Sequence, residues 1–161
     1  MLFVKSGLRG GQTMLVQGAS GGVPTALIQL GRAAGLRVWV TGAAKPSARW
    51  RSNWSAQAAF GPGARLPDRV DGVFDSVGRQ TRSHSLRALK PGGVLVTCGA
   101  TTGDATAAEL QRVFFLQLRI LGSTMGTRSK LADLLSFCVQ AGIHPRIGAE
   151  LPMAEAAKAF G

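Results

Sequence analysis

The chain has no tyrosine, only two cysteines, and eight acidic residues against nineteen basic ones. Without tyrosine it has no phenolic proton donor. Cys98 and Cys138 sit singly in apolar stretches, which excludes a cysteine-rich zinc lobe and gives no disulfide framework. No apolar run approaches the roughly 18 residues that a membrane-spanning helix needs, and the N-terminus lacks the layout of a signal peptide. No membrane partner is expected, and the cytoplasm is the expected compartment. Internal repeats and low-complexity tracts are also missing.

What is present is a globular composition. The 161 residues are 45% apolar and 17% charged, enough for one domain, 1–161, with a real core. The formal net charge is +11, and no acid precedes Asp68. A basic face for RNA or DNA is one reading of that charge. The basic residues are spread singly, however, with few aromatics among them outside Trp50 and Trp54, and no nucleic-acid-binding motif appears. Scattered surface arginine is the preferred explanation, and nucleic acid is not an expected partner.

Periodicity and turn signals divide the chain into alternating strands and helices. Residues 1–10 read as the tail of a helix. Strands are predicted at 13–17, 36–41, 58–60, from 70 into a turn at 75–78, at 94–99 and at 120–123. Helices are predicted at 23–34, 80–89, 107–117, 131–141 and from 154 to 160. Gly35 stands where a left-handed helix end favours glycine, and Lys90-Pro91-Gly92-Gly93 is expected to stop the helix before it. Leu110, Val113, Phe114 and Leu118 are expected on one side of the helix at 107–117. This alternation argues for a doubly wound parallel sheet, whose ligand sits beyond the carboxyl ends of the strands.

The stretch that organises the rest is Thr13-Met14-Leu15-Val16-Gln17-Gly18-Ala19-Ser20-Gly21-Gly22-Val23-Pro24. It reads as a strand, a phosphate-sized turn and a helix start, which presents backbone N–H groups and a positive dipole end to an anion. At the head of a series of β/α units it points to a phosphate-bearing ligand; dinucleotides, S-adenosylmethionine and flavins all fit. The end of the second strand discriminates among them. An NAD site places Asp or Glu there, whereas a ribose 2′-phosphate needs small residues and nearby cations. Here Val40-Thr41-Gly42 is followed by Lys45 and Arg49, with no carboxylate, which favours NADP(H). The missing acid also weakens an S-adenosylmethionine methyltransferase, which Leu89-Lys90-Pro91-Gly92-Gly93 would otherwise support.

Taken together, several stretches resemble the cofactor domain of the medium-chain dehydrogenase/reductase superfamily, in its zinc-type alcohol dehydrogenase and quinone oxidoreductase-like branch. They are the glycine stretch from Gly11 to Val23, Val73-Phe74-Asp75-Ser76-Val77-Gly78, Leu86-Arg87-Ala88-Leu89-Lys90-Pro91-Gly92-Gly93, and Gly122-Ser123-Thr124-Met125-Gly126. The resemblance covers nearly the whole chain apart from 43–55. Short-chain dehydrogenases, which need a catalytic tyrosine, are disfavoured independently.

The resemblance implies an α/β, Rossmann-type doubly wound parallel sheet of six strands in the order 3-2-1-4-5-6. It also implies NADP(H) as cofactor, with pyrophosphate contacts from Ala19, Ser20, Gly21, Gly22 and Val23. Adenosine-side contacts are implied at Thr41 and Gly42, with Lys45 beyond them. Ser76, Val77, Gly78, Cys98, Gly99 and Ala100 would line the adenine and nicotinamide ends. In the family, substrate and any catalytic zinc are held largely by an N-terminal barrel-like domain, which has no counterpart in these residues. The implied reaction is hydride transfer with a carbonyl, alcohol, enone or quinone. The chain alone is expected to be catalytically deficient and to meet a small-molecule substrate only together with that domain. No catalytic residue and no metal ligand is assigned. His84 and His144 do not match zinc-ligand positions and are expected on the surface. A homodimer is allowed.

Two departures stand out. The family often has glycine where Pro24 stands, so that the helix can pack close to the strand; proline nonetheless fits a first helical turn. Residues 43–54 lack an apolar stripe and carry Pro46, Trp50 and Trp54. Back-translated and shifted by one nucleotide, they read Ser-Glu-Ala-Lys-Arg-Ala-Leu-Ala-Glu-Gln-Leu, a family-like helix. The hypothesis is a pair of compensating frameshifts, which resequencing the gene decides; clean reads in the present frame reject a sequencing error.

Overall fold

The computed structural model describes residues 1–19, 21–42, 56–104, 107–145, 147 and 149–159. Six strands form one sheet in the order β3-β2-β1-β4-β5-β6, every neighbouring pair parallel. They are β1 Thr13–Val16, β2 Arg37–Thr41, β3 Ala58–Phe60, β4 Val70–Asp75, β5 Leu89–Thr97 and β6 Arg119–Gly122. This is the doubly wound, Rossmann-type α/β architecture and the strand order anticipated above.

The parallel strands read as continuous apolar runs because both faces are covered. Met14 and Val16 point to one face with Val38, Val40, Val94 and Val96; Leu15 points to the other with Val73 and Leu95. Helix α1, Gly22–Ala33, closes the first face through Leu27 and Ile28. Helix α2, Arg82–Ala88, closes the second through Leu86 and Ala88. Trp39 and Phe60 meet edge to face at 5.6 Å where β2 joins β3.

Pro24 is buried inside the first turn of α1, where a missing N–H leaves no helical hydrogen bond unmade. The close approach of helix to strand falls at Gly31 instead. A Cβ there would lie 2.6 Å from Met14 Sδ and 3.1 Å from Val38 Cγ2.

Several boundaries differ from expectation for identifiable reasons. The N-terminal helix tail is a single π-helical turn, Leu2–Ser6, closed by Gly7 at φ 70°. Lys90-Pro91-Gly92-Gly93 lies inside β5 rather than before it. Pairing slips from Val70–Leu89 to Gly72–Val94, and this irregularity leaves room for a proline. Helix α3 is short, Leu110–Phe115, because Glu109 and Gln117 take left-handed backbone at its two ends. Its expected apolar side is not buried: Leu110 and Phe114 face solvent, while Leu118 enters the core only after the helix has ended. Helix α4, Arg128–Gln140, begins before the predicted 131 because the Thr127 hydroxyl accepts from Lys130 N–H at 3.3 Å. The last helix is a 3₁₀ turn, Met153–Ala159. The irregular stretch 43–54 lies outside the described residues.

Candidate functional site

The carboxyl ends of β1, β2, β4 and β5 meet along one edge of the sheet. Gly18 turns out of β1 at φ 68°, and Ala19 N–H then donates to the Thr41 carbonyl at 2.8 Å. The glycine turn is thereby tied to the end of β2. Gly21 caps α1 in an extended conformation, and no acidic residue occupies the first turn. A side chain built on Gly22 would meet nothing within 4 Å, so the helix start is open to a ligand. These features fit a phosphate group.

Beneath the crevice lies a buried polar cluster. The Thr41 hydroxyl donates to the Gln17 side-chain carbonyl. The Gln17 amide reaches His84 Nδ1 at 2.9 Å and Ser85 Oγ at 3.0 Å. Ser85 donates to Asp75 Oδ2 at 2.7 Å, and the Thr81 hydroxyl meets the same carboxylate at 2.8 Å. Asp75 Oδ1 also accepts the N–H groups of Val77 and Gly78 at 2.9 and 3.1 Å, which shapes the loop after β4. His84 is therefore not the surface histidine expected from the sequence. Only 8% of it is exposed, because α2 turns its first two turns onto the strand ends.

The predicted site residues separate into groups. Ala19 is buried beneath the turn, and Gly21, Gly22 and Val23 are exposed at the start of α1. Val23 also borders an apolar groove of about 440 Å³ between the N-terminal turn, α1 and α4. Thr41 is turned inward with its hydroxyl engaged, so only Gly42, beside it, is half open to the crevice. Ser20 and Lys45 lie outside the described residues. Gly78, Cys98, Gly99 and Ala100 share a cleft of about 720 Å³ with Asp75 and Arg82. The half-buried Ser76 and Val77 hold its neighbouring loop through Thr101 N–H to Ser76 O and Thr102 N–H to Val77 O.

The Nε atom of Arg82 is buried without a partner among the described residues, and Arg82 borders this same cleft. A buried donor left over at a cleft suits a ligand acceptor. Burial pushes the Cys98 thiol above its ordinary range, and the negative charge of Asp75 pushes it further. Cys98 is thus a neutral lining residue rather than a thiolate nucleophile.

Sequence reasoning did not single out Gln17, His84, Ser85 or Arg82. The available signal was a glutamine interrupting an apolar strand just before the glycine turn. Among the described residues, no three His, Cys, Asp or Glu side chains gather as a metal site would need. Both ring nitrogens of His84 are already engaged. The described residues do not fit a zinc ion.

The sequence model for the zinc-binding dehydrogenase family matches residues 22–140. Quinone oxidoreductase of Pseudomonas aeruginosa is 31% identical, over 94% of this chain and 53% of its own length. Acryloyl-coenzyme A reductase of Metallosphaera sedula is 28% identical, over 97% of this chain and 48% of its own. The crystal structure of an NAD-dependent alcohol dehydrogenase superposes with a TM-score of 0.82 at 29% identity, covering 99% of this chain and 50% of that one. The chain spans about half the length of the curated relatives it matches.

Proposed function

The chain belongs to the zinc-binding dehydrogenase family, and from that premise we propose that it forms the NADP(H)-binding domain of an oxidoreductase. Bound nicotinamide dinucleotide supplies the hydride exchanged with a carbonyl, alcohol, enone or quinone. Quinone oxidoreductases and acryloyl-coenzyme A reductases among its relatives support that range. The first turn of α1 and the loop after Gly18 would hold the pyrophosphate. Ser20 would join the pyrophosphate contacts, and Gly42 with Lys45 would meet the phosphorylated ribose side; Ser20 and Lys45 lie outside the described residues. The loops at Ser76–Gly78 and Cys98–Ala100 would receive the adenine and nicotinamide ends.

The observation that carries the NADP(H) preference is the end of β2. An NAD site needs a carboxylate there to accept from the ribose hydroxyls. This chain has Thr41, whose hydroxyl is spent on Gln17, followed by glycine. The NAD-dependent structural neighbour is the finding that argues the other way. Calorimetric titration with NADPH and NADH decides between them. Tighter binding of NADPH by about tenfold or more is expected, and equal or reversed affinities overturn the preference.

The side chains of Thr41, Gln17 and Asp75 are each spent within the polar cluster and offer no free proton donor, so the part played by this chain is to bind and orient the cofactor. Turnover is proposed to need protein beyond this chain. Purified chain with NADPH and a quinone is expected to show none, and measurable turnover overturns that. A homodimer is proposed as an allowed state, since among the described residues the sheet ends on two edge strands, β3 and β6, to which a second copy could add; a monomer in sedimentation equilibrium rejects it.

A further inference from the structure

The polar cluster below the crevice has Gln17 at its centre, and every hydrogen around that side chain has one place to go. Gln17 is fully buried. Both of its amide hydrogens are used, on His84 Nδ1 at 2.9 Å and Ser85 Oγ at 3.0 Å, while its carbonyl accepts from Thr41. Because Nδ1 accepts, a neutral His84 carries its hydrogen on Nε2, which faces the Ala64 carbonyl at 2.9 Å. Ser85 then donates onward to Asp75 at 2.7 Å. Rotating the Gln17 amide would set acceptor against acceptor at His84 Nδ1 and at Ser85, whose hydrogen already goes to Asp75, and would turn the NH2 onto the donating Thr41 hydroxyl. The amide is therefore locked by a residue on the far side from the crevice.

We propose that Gln17, oriented by His84, is the positioning residue of the dinucleotide site. It holds Thr41 and Gly42 at the end of β2 in fixed register with the turn at Gly18 and Ala19. Those two loops would grip adjacent parts of one ligand, the ribose side and the pyrophosphate. A backbone bond from Ala19 N–H to the Thr41 carbonyl at 2.8 Å joins the same loops. The Gln17 side chain adds a second link, so that the two loops are fixed in orientation as well as in distance. His84 acts through Gln17 and touches no ligand. This inference rests on the reading that the crevice holds a nicotinamide dinucleotide.

The test compares His84→Leu, which removes the acceptor facing Gln17, with His84→Asn, whose carbonyl oxygen can stand where Nδ1 does. The full chain is titrated with NADPH and with inorganic pyrophosphate, which reaches the glycine turn alone, and melting is followed separately. His84→Leu is expected to weaken NADPH about tenfold, the loss that follows from one mispaired buried amide, while pyrophosphate affinity is unchanged. His84→Asn is expected to restore NADPH affinity to within about threefold of the parent chain. A merely structural role lowers the melting temperature of both variants and leaves the affinity of the folded chain alone; that result overturns the proposal.

If His84→Leu does not fold, Thr41→Val against Thr41→Ser asks the same question from the other end of the link. The hydroxyl-bearing variant is expected to keep affinity and the valine variant to lose it; equal affinities overturn the proposal. A parent chain that binds no dinucleotide brings down the cofactor reading and this inference with it. Binding by the parent with no difference among variants removes the positioning role alone.

Discussion

Gly18 and Val77 belong to the turns after β1 and β4, and they approach so closely that a Cβ on Gly18 would stand 2.7 Å from Val77 Cγ2. Gly18 also takes φ 68°, where an L side chain is strained. Two costs therefore add at one position. Gly18→Ala is expected to destabilise the chain by about 2–3 kcal/mol, from left-handed strain and overpacking together. Val77→Ala in the same background should recover the overpacking part and leave the strain. Urea unfolding of the single and double variants checks this; full recovery in the double variant would show that strain contributes nothing.

Asp75 is 3% exposed and accepts from two hydroxyls and two backbone N–H groups. Asparagine has the same shape but turns one acceptor into a donor. Asp75→Asn is expected to cost about 2 kcal/mol in urea unfolding, because the buried Ser85 hydroxyl then faces an N–H while Thr81 keeps only Oδ1. A change below about 0.5 kcal/mol would contradict the hydrogen-bond assignment.

The Cys98 thiol gives a pH signature. Burial first, and Asp75 second, raise its pKa above the ordinary 9.0, so the folded chain holds this proton more tightly than the unfolded chain does. The resulting stability is present below pH 9.0 and is lost as pH rises through the raised value. In a Cys138→Ser background, alkylation of Cys98 by iodoacetamide at neutral pH should be much slower than in the urea-unfolded chain. Cys98→Ala should remove part of the stability loss seen on going from pH 8 to about 10. Equal labelling rates in the folded and unfolded states would contradict the assignment.

The fold was legible because apolar runs, glycine turns and β/α alternation are local signals. Strand β3 is short, yet its bounds, Ala58–Phe60, follow directly from the break before it and Gly61-Pro62-Gly63 after it. The polar cluster was not legible. Gln17 and His84 are 67 residues apart, and nothing local marks His84 as buried; only the docking of α2 on the strand ends brings them to 2.9 Å. The resemblance implies an adenosine-side contact at Thr41, whereas its side chain turns inward. Its inward orientation depends on which residue β1 carries at Gln17, a pairing that spacing alone cannot supply. The helix at 107–117 was overextended for a related reason. The apolar spacing of Leu110 and Phe114 is helical, but two left-handed residues cut the helix short and leave that stripe facing solvent.

A nicotinamide dinucleotide is proposed to lie across the carboxyl ends of β1, β2, β4 and β5. Amide chemical-shift mapping of the ¹⁵N-labelled chain titrated with NADPH tests it most directly. The largest shifts are predicted at Gly18, Ala19, Gly21, Gly22, Gly42, Ser76, Val77, Gly78, Gly99 and Ala100. Shifts confined to Arg65 and Arg69, which share a pocket with His84 and Arg87 of α2, or no shifts at all, would contradict it.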